Sequence, residues 1–184
     1  PDRVITMMKR LAVLLLLGLG TACSVAHEQG PVAASTLKAD LDVVVERRQV
    51  APVDGVTTAG QPDAEAFKVF AEAGYVAVID IRTAGEDRGL DEAAVVQGLG
   101  MDYLQMPVGG RDGITFENAE KLDQLIGLYD EPVLVHCGSA NRVGALFALN
   151  VFRETGDMDK ALEAGRVAGL SSLEGTVREV LEAE

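Results

Sequence analysis

The sequence predicts an α/β fold, a mostly parallel sheet flanked by helices, and three observations predict it. Short β-branched and aliphatic runs alternate with longer segments of helical period along the chain. One run, Val76 to Ile81, is apolar enough to be buried on both faces, as strands of a parallel sheet are. With 184 residues, 48% of them hydrophobic, the chain can fill one sizeable core, and no internal repeat divides it.

In order, Val56-Thr57-Thr58-Ala59 reads as a short strand. Gly60-Gln61-Pro62-Asp63 turns the chain into a helix, with Pro62 and Asp63 as start signals and Phe67, Phe70 and Ala71 on one face. Gly74 ends that helix, and the buried strand Val76 to Ile81 follows. Glu92 to Leu99 is a second helix, closed by Gly100. Tyr103 to Val108 is a strand that gives way to the loop Gly109-Gly110-Arg111-Asp112-Gly113. Thr115 caps a helix whose apolar stripe is Leu122, Leu125 and Ile126. Pro132 to His136 is the next strand, and Arg142 to Thr155 the helix after it. Helices over Asp159 to Gly169 and Leu173 to Glu182 complete the chain. In folds of this class ligands bind at the carboxyl ends of the strands.

This domain is expected over residues 41–184, and an address precedes it. Met7-Met8-Lys9-Arg10 is a basic start, Leu11 to Leu19 is apolar but short for a bilayer span, and Gly20-Thr21-Ala22 puts small residues before Cys23. Residues 1–22 therefore read as upstream residues and a bacterial secretory signal. Cys23 is the expected lipidation site, and 23–40 a tether; cleavage after Ser24-Val25-Ala26 is the alternative. The expected location is the periplasm, with the domain held at a membrane through Cys23. The formal charge of −13 argues against nucleic acid as a partner. An anionic substrate would need a local island of positive charge. His27 and His136 are the only histidines and show no clustered Cys/His spacing, so no metal and no other cofactor is expected.

Export sharpens the reading of Cys137. It is the one cysteine besides Cys23, so it has no partner for an intramolecular disulfide within the mature domain. One reading is a buried cysteine acting as a small hydrophobe. Its neighbours favour another. Cys137 ends a strand and is followed by Gly138-Ser139-Ala140-Asn141, then Arg142 at the start of a helix. Small residues let backbone N–H groups turn inward as a nest, and the helix adds its own N-terminal N–H groups. Both stabilise a thiolate as well as a bound oxyanion. Arg142 adds a planar, two-pronged donor suited to phosphate oxygens.

His136-Cys137 … Arg142 resembles the signature loop of the cysteine-dependent protein phosphatases. In that superfamily the cysteine attacks phosphorus, the arginine holds the equatorial oxygens and an upstream aspartate protonates the leaving oxygen. Two departures stand out: four residues separate Cys137 from Arg142 where five are usual, and Val143 follows where Ser or Thr is usual. The shorter loop equally resembles that of rhodanese sulfurtransferases, and Val78-Ile79-Asp80-Ile81-Arg82 with Glu86 looks like a rhodanese strand and its ion pairs. The remaining motifs separate the two. Thr58-Ala59-Gly60-Gln61-Pro62, Val78-Ile79-Asp80-Ile81-Arg82-Thr83, Leu99-Gly100-Met101-Asp102-Tyr103 and the cysteine loop recur together in the bacterial phosphatase-like domain also found fused to β-lactamase-like hydrolases. The resemblance covers about residue 50 to 170. It implies a dual-specificity-type phosphatase fold and phosphomonoester hydrolysis through phosphocysteine, with a phosphorylated protein or small molecule as substrate. A catalytically weak phosphate-binding module is the other alternative.

The expected catalytic residues are thus Cys137, Arg142 and Asp112, with Glu117 and Asp87 as reserve acids. The expected substrate-binding residues are Gly138, Ser139, Ala140, Asn141 and Arg111, the last as part of the positive island. Asp80 and Arg82 read as structural, pinning a strand end. His136, on the opposite face from Cys137, reads as a buried group that holds the loop. Glu86-Asp87-Arg88 reads as a solvated loop, and Asn150 as a satisfied polar group of its helix.

Overall fold

Strand pairing decides where Cys137 emerges. The structure, a computed structural model, describes residues 37–184. Every described residue belongs to one compact unit. The expected signal segment, Cys23 and most of the expected tether lie outside the described residues. Strands β1 (Val56–Ala59), β2 (Ala77–Asp80), β3 (Asp102–Gln105) and β4 (Val133–His136) form one parallel sheet in the order β1-β4-β2-β3. β4 is therefore flanked on both sides, and His136 stands opposite Ala59 on one neighbour and Asp80 on the other. Cys137 leaves the sheet between those two strand ends.

Seven helices cover the sheet: α1 (Leu41–Arg47), α2 (Ala64–Glu72), α3 (Glu92–Gly98), α4 (Phe116–Ile126), α5 (Asn141–Thr155), α6 (Met158–Val167) and α7 (Glu174–Glu182). Successive strand residues point to opposite faces, so each strand feeds two cores. Val78 and Leu134 join Phe67, Phe70, Tyr75 and Val96 under α2 and α3. Ile79 and Val135 join Leu122, Leu146, Leu149, Leu162 and Val177 under the helices of the other face. Each such side chain, fully buried, stabilises the fold by about 1.5–3 kcal/mol. Helix starts follow the sequence signals: Asp63 caps α2 by accepting from Ala66 N at 2.8 Å, and Thr115 caps α4 by accepting from Asn118 N at 3.2 Å.

Three features depart from the sequence reading. Helix α1 was not expected, because Val43-Val44-Val45 is a β-branched run of low helix propensity. The Asp40 cap, accepting from Val43 N at 3.3 Å, and burial of Val44 carry it instead. Second, residues 37–40 are not the end of a tether. Ala39 donates to Thr58 O at 2.8 Å, Thr58 to Leu37 O at 2.9 Å and Lys38 to Val167 O at 3.1 Å, so this segment lines the free edge of β1. The unpaired edge of a sheet attracts a backbone partner, which composition does not reveal. Third, β3 ends at Gln105 rather than Val108. The chain beyond it still follows β2, with Met106 N on Asp80 O at 2.9 Å and Val108 N on Ile81 O at 3.0 Å.

Helices α5 and α6 meet backbone to backbone at Gly144 and Gly165. A Cβ on Gly144 would stand 2.6 Å from Gly165 O and 2.8 Å from the Gly169 carbonyl carbon, and would run into Leu170 N. Neither helix can yield without moving the end of the cysteine loop. Gly144→Ala is expected to destabilise the protein by about 3 kcal/mol or more in urea unfolding. Gly175→Ala, in α7 with nothing within 4 Å of its added Cβ, is expected to stabilise by about 0.5–1 kcal/mol.

Candidate active site

The loop from Gly138 to Ala140 joins β4 to α5, and its backbone donors are what set it apart. Helices α1, α2, α3, α4 and α6 each close their first turn with an Asp or Thr side chain. Helix α5 begins at Ala140, which has no such side chain and sits in the left-handed region at φ 66°. The N–H groups of Gly138, Ser139, Ala140, Asn141, Arg142 and Val143 donate to no acceptor among the described residues. Consecutive amides that turn through a left-handed residue into a helix start form an anion cradle.

Cys137 lies at the base of this cradle and is 1% exposed. Its N–H reaches Ala59 O at 3.4 Å, which ties it to β1. Two neighbours hold the loop in place. Gln61 N donates to Gly138 O at 3.2 Å, and a Cβ on Gly60 would come 3.2 Å from that same oxygen, so the Gly-Gln-Pro turn can approach only without a side chain there. Gly169, itself at φ +109°, backs onto Ala140: a Cβ at Gly169 would stand 2.5 Å from Ala140 Cβ.

Arg142 reaches the site from the first turn of α5. Its Nη1 donates to Glu86 Oε1 at 2.7 Å and to Val108 O at 2.9 Å, and its Nη2 donates to Glu86 Oε2 at 2.6 Å. Both carboxylate oxygens thus engage both terminal nitrogens of the fork. The guanidinium is pushed above its ordinary range, first by the Glu86 hydrogen bonds and also by the charge of Cys137. The same Arg142 bonds hold Glu86 well below the usual carboxylate range, with Thr83 N at 2.9 Å assisting. Glu86 is therefore a partner of the central arginine and not part of a solvated loop.

Beneath the cradle, on the α2–α3 side, lies a buried polar network. His136 Nε2 is 2.7 Å from Glu92 Oε1, and Gln61 Nε2 donates to Glu92 Oε2 at 2.7 Å. Arg82 reaches Gln61 Oε1 and, at 3.4 Å, Glu86. Asp80 accepts from Arg88 Nε at 2.7 Å, Tyr103 Oη at 2.9 Å and Arg82 N at 2.8 Å. Asp80, Glu92 and His136 place one candidate ligand atom each within 4.8 Å of one another. Their oxygens are already taken by Arg88, Tyr103 and Gln61, which makes the cluster an ion-pair network. Burial followed by the Asp80 contact raises the Tyr103 hydroxyl well above its usual range. Buried polar groups of this kind are affordable only when each is satisfied. Asp80 and Arg82 pin the strand end, and His136 is fully buried next to the loop.

Other expected site residues lie elsewhere or serve otherwise. The Asn141 side chain accepts from Ser171 N at 2.8 Å and Leu173 N at 3.3 Å and donates to Ser172 Oγ at 2.7 Å, so it pins the α6–α7 connection; only its N–H faces no protein acceptor. The side chain of Asn141 thus positions the end of the loop. Arg111 and Asp112 lie exposed on a 3-10 turn, Arg111–Gly113. Arg111 pairs with Glu179 of α7, which offsets the positive charge it was expected to contribute. With Asp112 it lines a groove against α7 that includes Ile114, Thr176 and Glu179 and none of residues 137–142. Val108, held by Arg142, is where the loop carrying Asp112 departs. Glu117 and Asp87 are exposed. Asn150 donates to Ala119 O at 2.9 Å, while its Oδ1 is buried without a partner, so it is only half satisfied. Sequence reasoning missed the roles of Glu86, Gln61 and Glu92. The Asp-x-Arg strand with a following glutamate was the one signal for Glu86.

No family model matches the chain. Over 95 residues, half of this chain, it is 36% identical to the β-lactamase hydrolase-like protein of Xylella fastidiosa, and over 98 residues it is 31% identical to that of Agrobacterium fabrum. These matches span 22% of the length of each relative. Among solved structures, a Neisseria meningitidis protein proposed as a phosphatase superposes with a TM-score of 0.62 at 22% identity, covering 72% of this chain and 95% of its own. TpbA of Pseudomonas aeruginosa superposes at 0.53 with 16% identity, over 72% of this chain and 81% of its own. This chain has the dual-specificity phosphatase fold. The phosphatase fold was expected from the cysteine loop, and the half-chain likeness is to the β-lactamase hydrolase-like proteins, as the recurring motifs implied.

The Arg142–Glu86 contact gives the phosphatase fold a pH signature. A carboxyl whose pKa is lowered on folding stabilises the protein above its unfolded pKa, about 4.3, and loses that contribution as pH falls through its folded value. Glu86→Gln should therefore melt below the parent protein at pH 6. The gap should hold down to about pH 5 and narrow steadily below about pH 4. Melting curves across that range check it; a gap that does not change with pH would assign the loss to packing.

Proposed function

We propose that this chain is an exported, cysteine-dependent phosphomonoesterase of the dual-specificity type. The observation that carries the reading is the run of six acceptor-free amides from Gly138 to Val143 around Cys137. A dianionic phosphoryl group has oxygens enough to take these donors. In the first step Cys137 Sγ attacks phosphorus, forming the S–P bond as the P–O bond to the leaving group breaks. Asp112 gives its proton to the leaving oxygen. In the second step water attacks phosphorus, Asp112 takes back a proton, and the S–P bond breaks to release phosphate and the thiolate. The cradle amides bind the phosphoryl oxygens throughout, most tightly as charge develops in transfer. Arg142 contributes once an oxygen of the substrate shares its fork with Glu86. The departure of the Gly109–Gly113 loop from Val108, itself bonded to Arg142, supports the assignment of Asp112.

Two observations favour a second reading, a phosphate-binding module of weak turnover. Val143 is fully buried in the core where the superfamily has a hydroxyl, and Glu86 occupies the arginine fork. TpbA has been solved in complex with phosphotyrosine, and a phosphorylated protein or small molecule is the proposed substrate here. We further propose that Cys23 is lipidated after signal cleavage, which would hold the domain at the periplasmic membrane.

Three measurements follow. Cys137→Ser is expected to abolish turnover of an aryl phosphate while retaining tungstate binding; turnover that survives the substitution would reject the mechanism, and thiosulfate–cyanide turnover by the parent would move it to sulfur transfer. Asp112→Asn is expected to slow substrates with poor leaving groups by about 10²-fold while sparing activated aryl esters. Equal loss on both classes would make Asp112 a positioning group. Mass analysis of the mature N-terminus is expected to show lipidated Cys23, and an unmodified terminus at His27 would show a soluble exported protein.

A further inference from the structure

Gln61 stands between two groups of opposite demand. On one side is the Glu92 carboxylate, which offers only acceptors. It meets a nitrogen at each oxygen, His136 Nε2 at 2.7 Å and Gln61 Nε2 at 2.7 Å. On the other side is the Arg82 guanidinium, which offers only donors and gives one to Gln61 Oε1. A side-chain amide carries a donor at one end and an acceptor at the other, so it satisfies both. A carboxylate in its place would face Glu92 with no proton to give, and an apolar side chain would leave both partners short. Glu92 is 2% exposed and Arg82 6%, depths at which a lost partner is not readily replaced by water.

Both the backbone and the side chain of Gln61 lead to the cysteine loop. Its N–H donates to Gly138 O at 3.2 Å, beside the bridge between Gly60 and Ser139, so the residue that carries the amide also holds the first turn of the cradle. Arg82, in turn, reaches Glu86 Oε2 through its Nε at 3.4 Å. That oxygen is the one that accepts from Arg142 Nη2 at 2.6 Å. Glu86 is thus shared between two arginines. When an anion takes over the fork of Arg142, Glu86 keeps Arg82 as a partner. A half-buried carboxylate left unpaired would oppose that exchange.

We propose that Gln61 is a positioning residue for the bound phosphoryl group: its N–H fixes the cradle while its side-chain amide fixes Arg82 against Glu86, so one residue sets cradle and arginine fork together. The identity of the anion rests on the phosphatase reading, and the positioning rests on the hydrogen bonds alone. Gln61 acts through Gly138 and through Arg82. Its effect therefore falls on oxyanion affinity and on transition-state binding alike.

The test exchanges the two partners. Gln61→Glu sets one carboxylate against another, and Gln61→Met keeps the length and the backbone but removes both polar ends. In the Cys137→Ser background, each is expected to weaken tungstate binding by about tenfold. In the active protein, kcat/KM for an aryl phosphate should fall by at least that factor. Gln61→Glu combined with Glu92→Gln reverses the polarity of the bridge without breaking it. The introduced amide donates to the introduced carboxylate and accepts from His136, and that carboxylate accepts from Arg82. The double variant is expected to recover tungstate affinity and kcat/KM to within about threefold of the parent. Tungstate affinity and kcat/KM unchanged by Gln61→Met would overturn the assignment. A melting temperature that recovers in the double variant while affinity does not would make the amide a group of structural importance only. A parent that binds tungstate without turnover, and whose affinity falls with Gln61→Met and recovers in the double variant, would reject the phosphatase reading and leave the positioning role of Gln61 standing.

Discussion

Six neighbouring amides with no acceptor among the described residues are costly to hold together, and much of the structure around Cys137 keeps them so. A buried or half-buried N–H without a partner forfeits a hydrogen bond. The chain prevents the usual remedies. Ala140 sits at positive φ, so the loop cannot relax into another helical turn. No side chain caps α5. Gly60 and Gly169 each bring backbone against the loop where a Cβ would crowd it, and Gly144 lets α5, which follows the loop, pack directly on the end of α6. Asn141, which is well placed to cap its own helix, is drawn away by Ser171, Ser172 and Leu173.

The electrostatics answer a different problem. An acidic chain that binds an anion must keep its own carboxylates from filling the site or repelling the guest. Here each nearby carboxylate is tied to a specific donor: Asp80 to Arg88 and Tyr103, Glu92 to His136 and Gln61, Glu86 to Arg142. The last of these has two effects. It orients the guanidinium toward the loop, and it sets a carboxylate against any incoming anion in competition for the same two nitrogens. Positioning and occupancy are thus carried by one contact, and affinity for a dianion is set by the difference between them.

Much of this was legible in the residues. The order of strands and helices followed from periodicity and from caps such as Asp63 and Thr115, because those signals are local. The strand-Cys-small-loop-Arg unit was legible for the same reason: cysteine, nest and helix start are contiguous in sequence. What stayed hidden is what depends on distant partners. Glu86 lies 56 residues before Arg142, and nothing local distinguishes it from a surface glutamate. Helix α1 was hidden because its β-branched run opposes helix and burial of Val44 overrides it. The partners of the Asn141 side chain stayed hidden because they lie about thirty residues on. Lys38 was assigned to a linker because edge pairing with β1 leaves no compositional trace.

The strand order carries a consequence for how the surroundings of Cys137 come to exist. β1 and β2 do not pair with each other; β4, the last strand to be synthesised, is the one that joins them. The sheet is continuous only with β4 in place, and closing the long loop between β1 and β4 is an entropic cost of completing it. The thiol therefore sits on the keystone. Take β4 out of the sheet and Cys137 loses its tie to Ala59, the amides of the loop and the nearby Arg142 together. The surroundings of the thiol and the completeness of the sheet are one property of the fold.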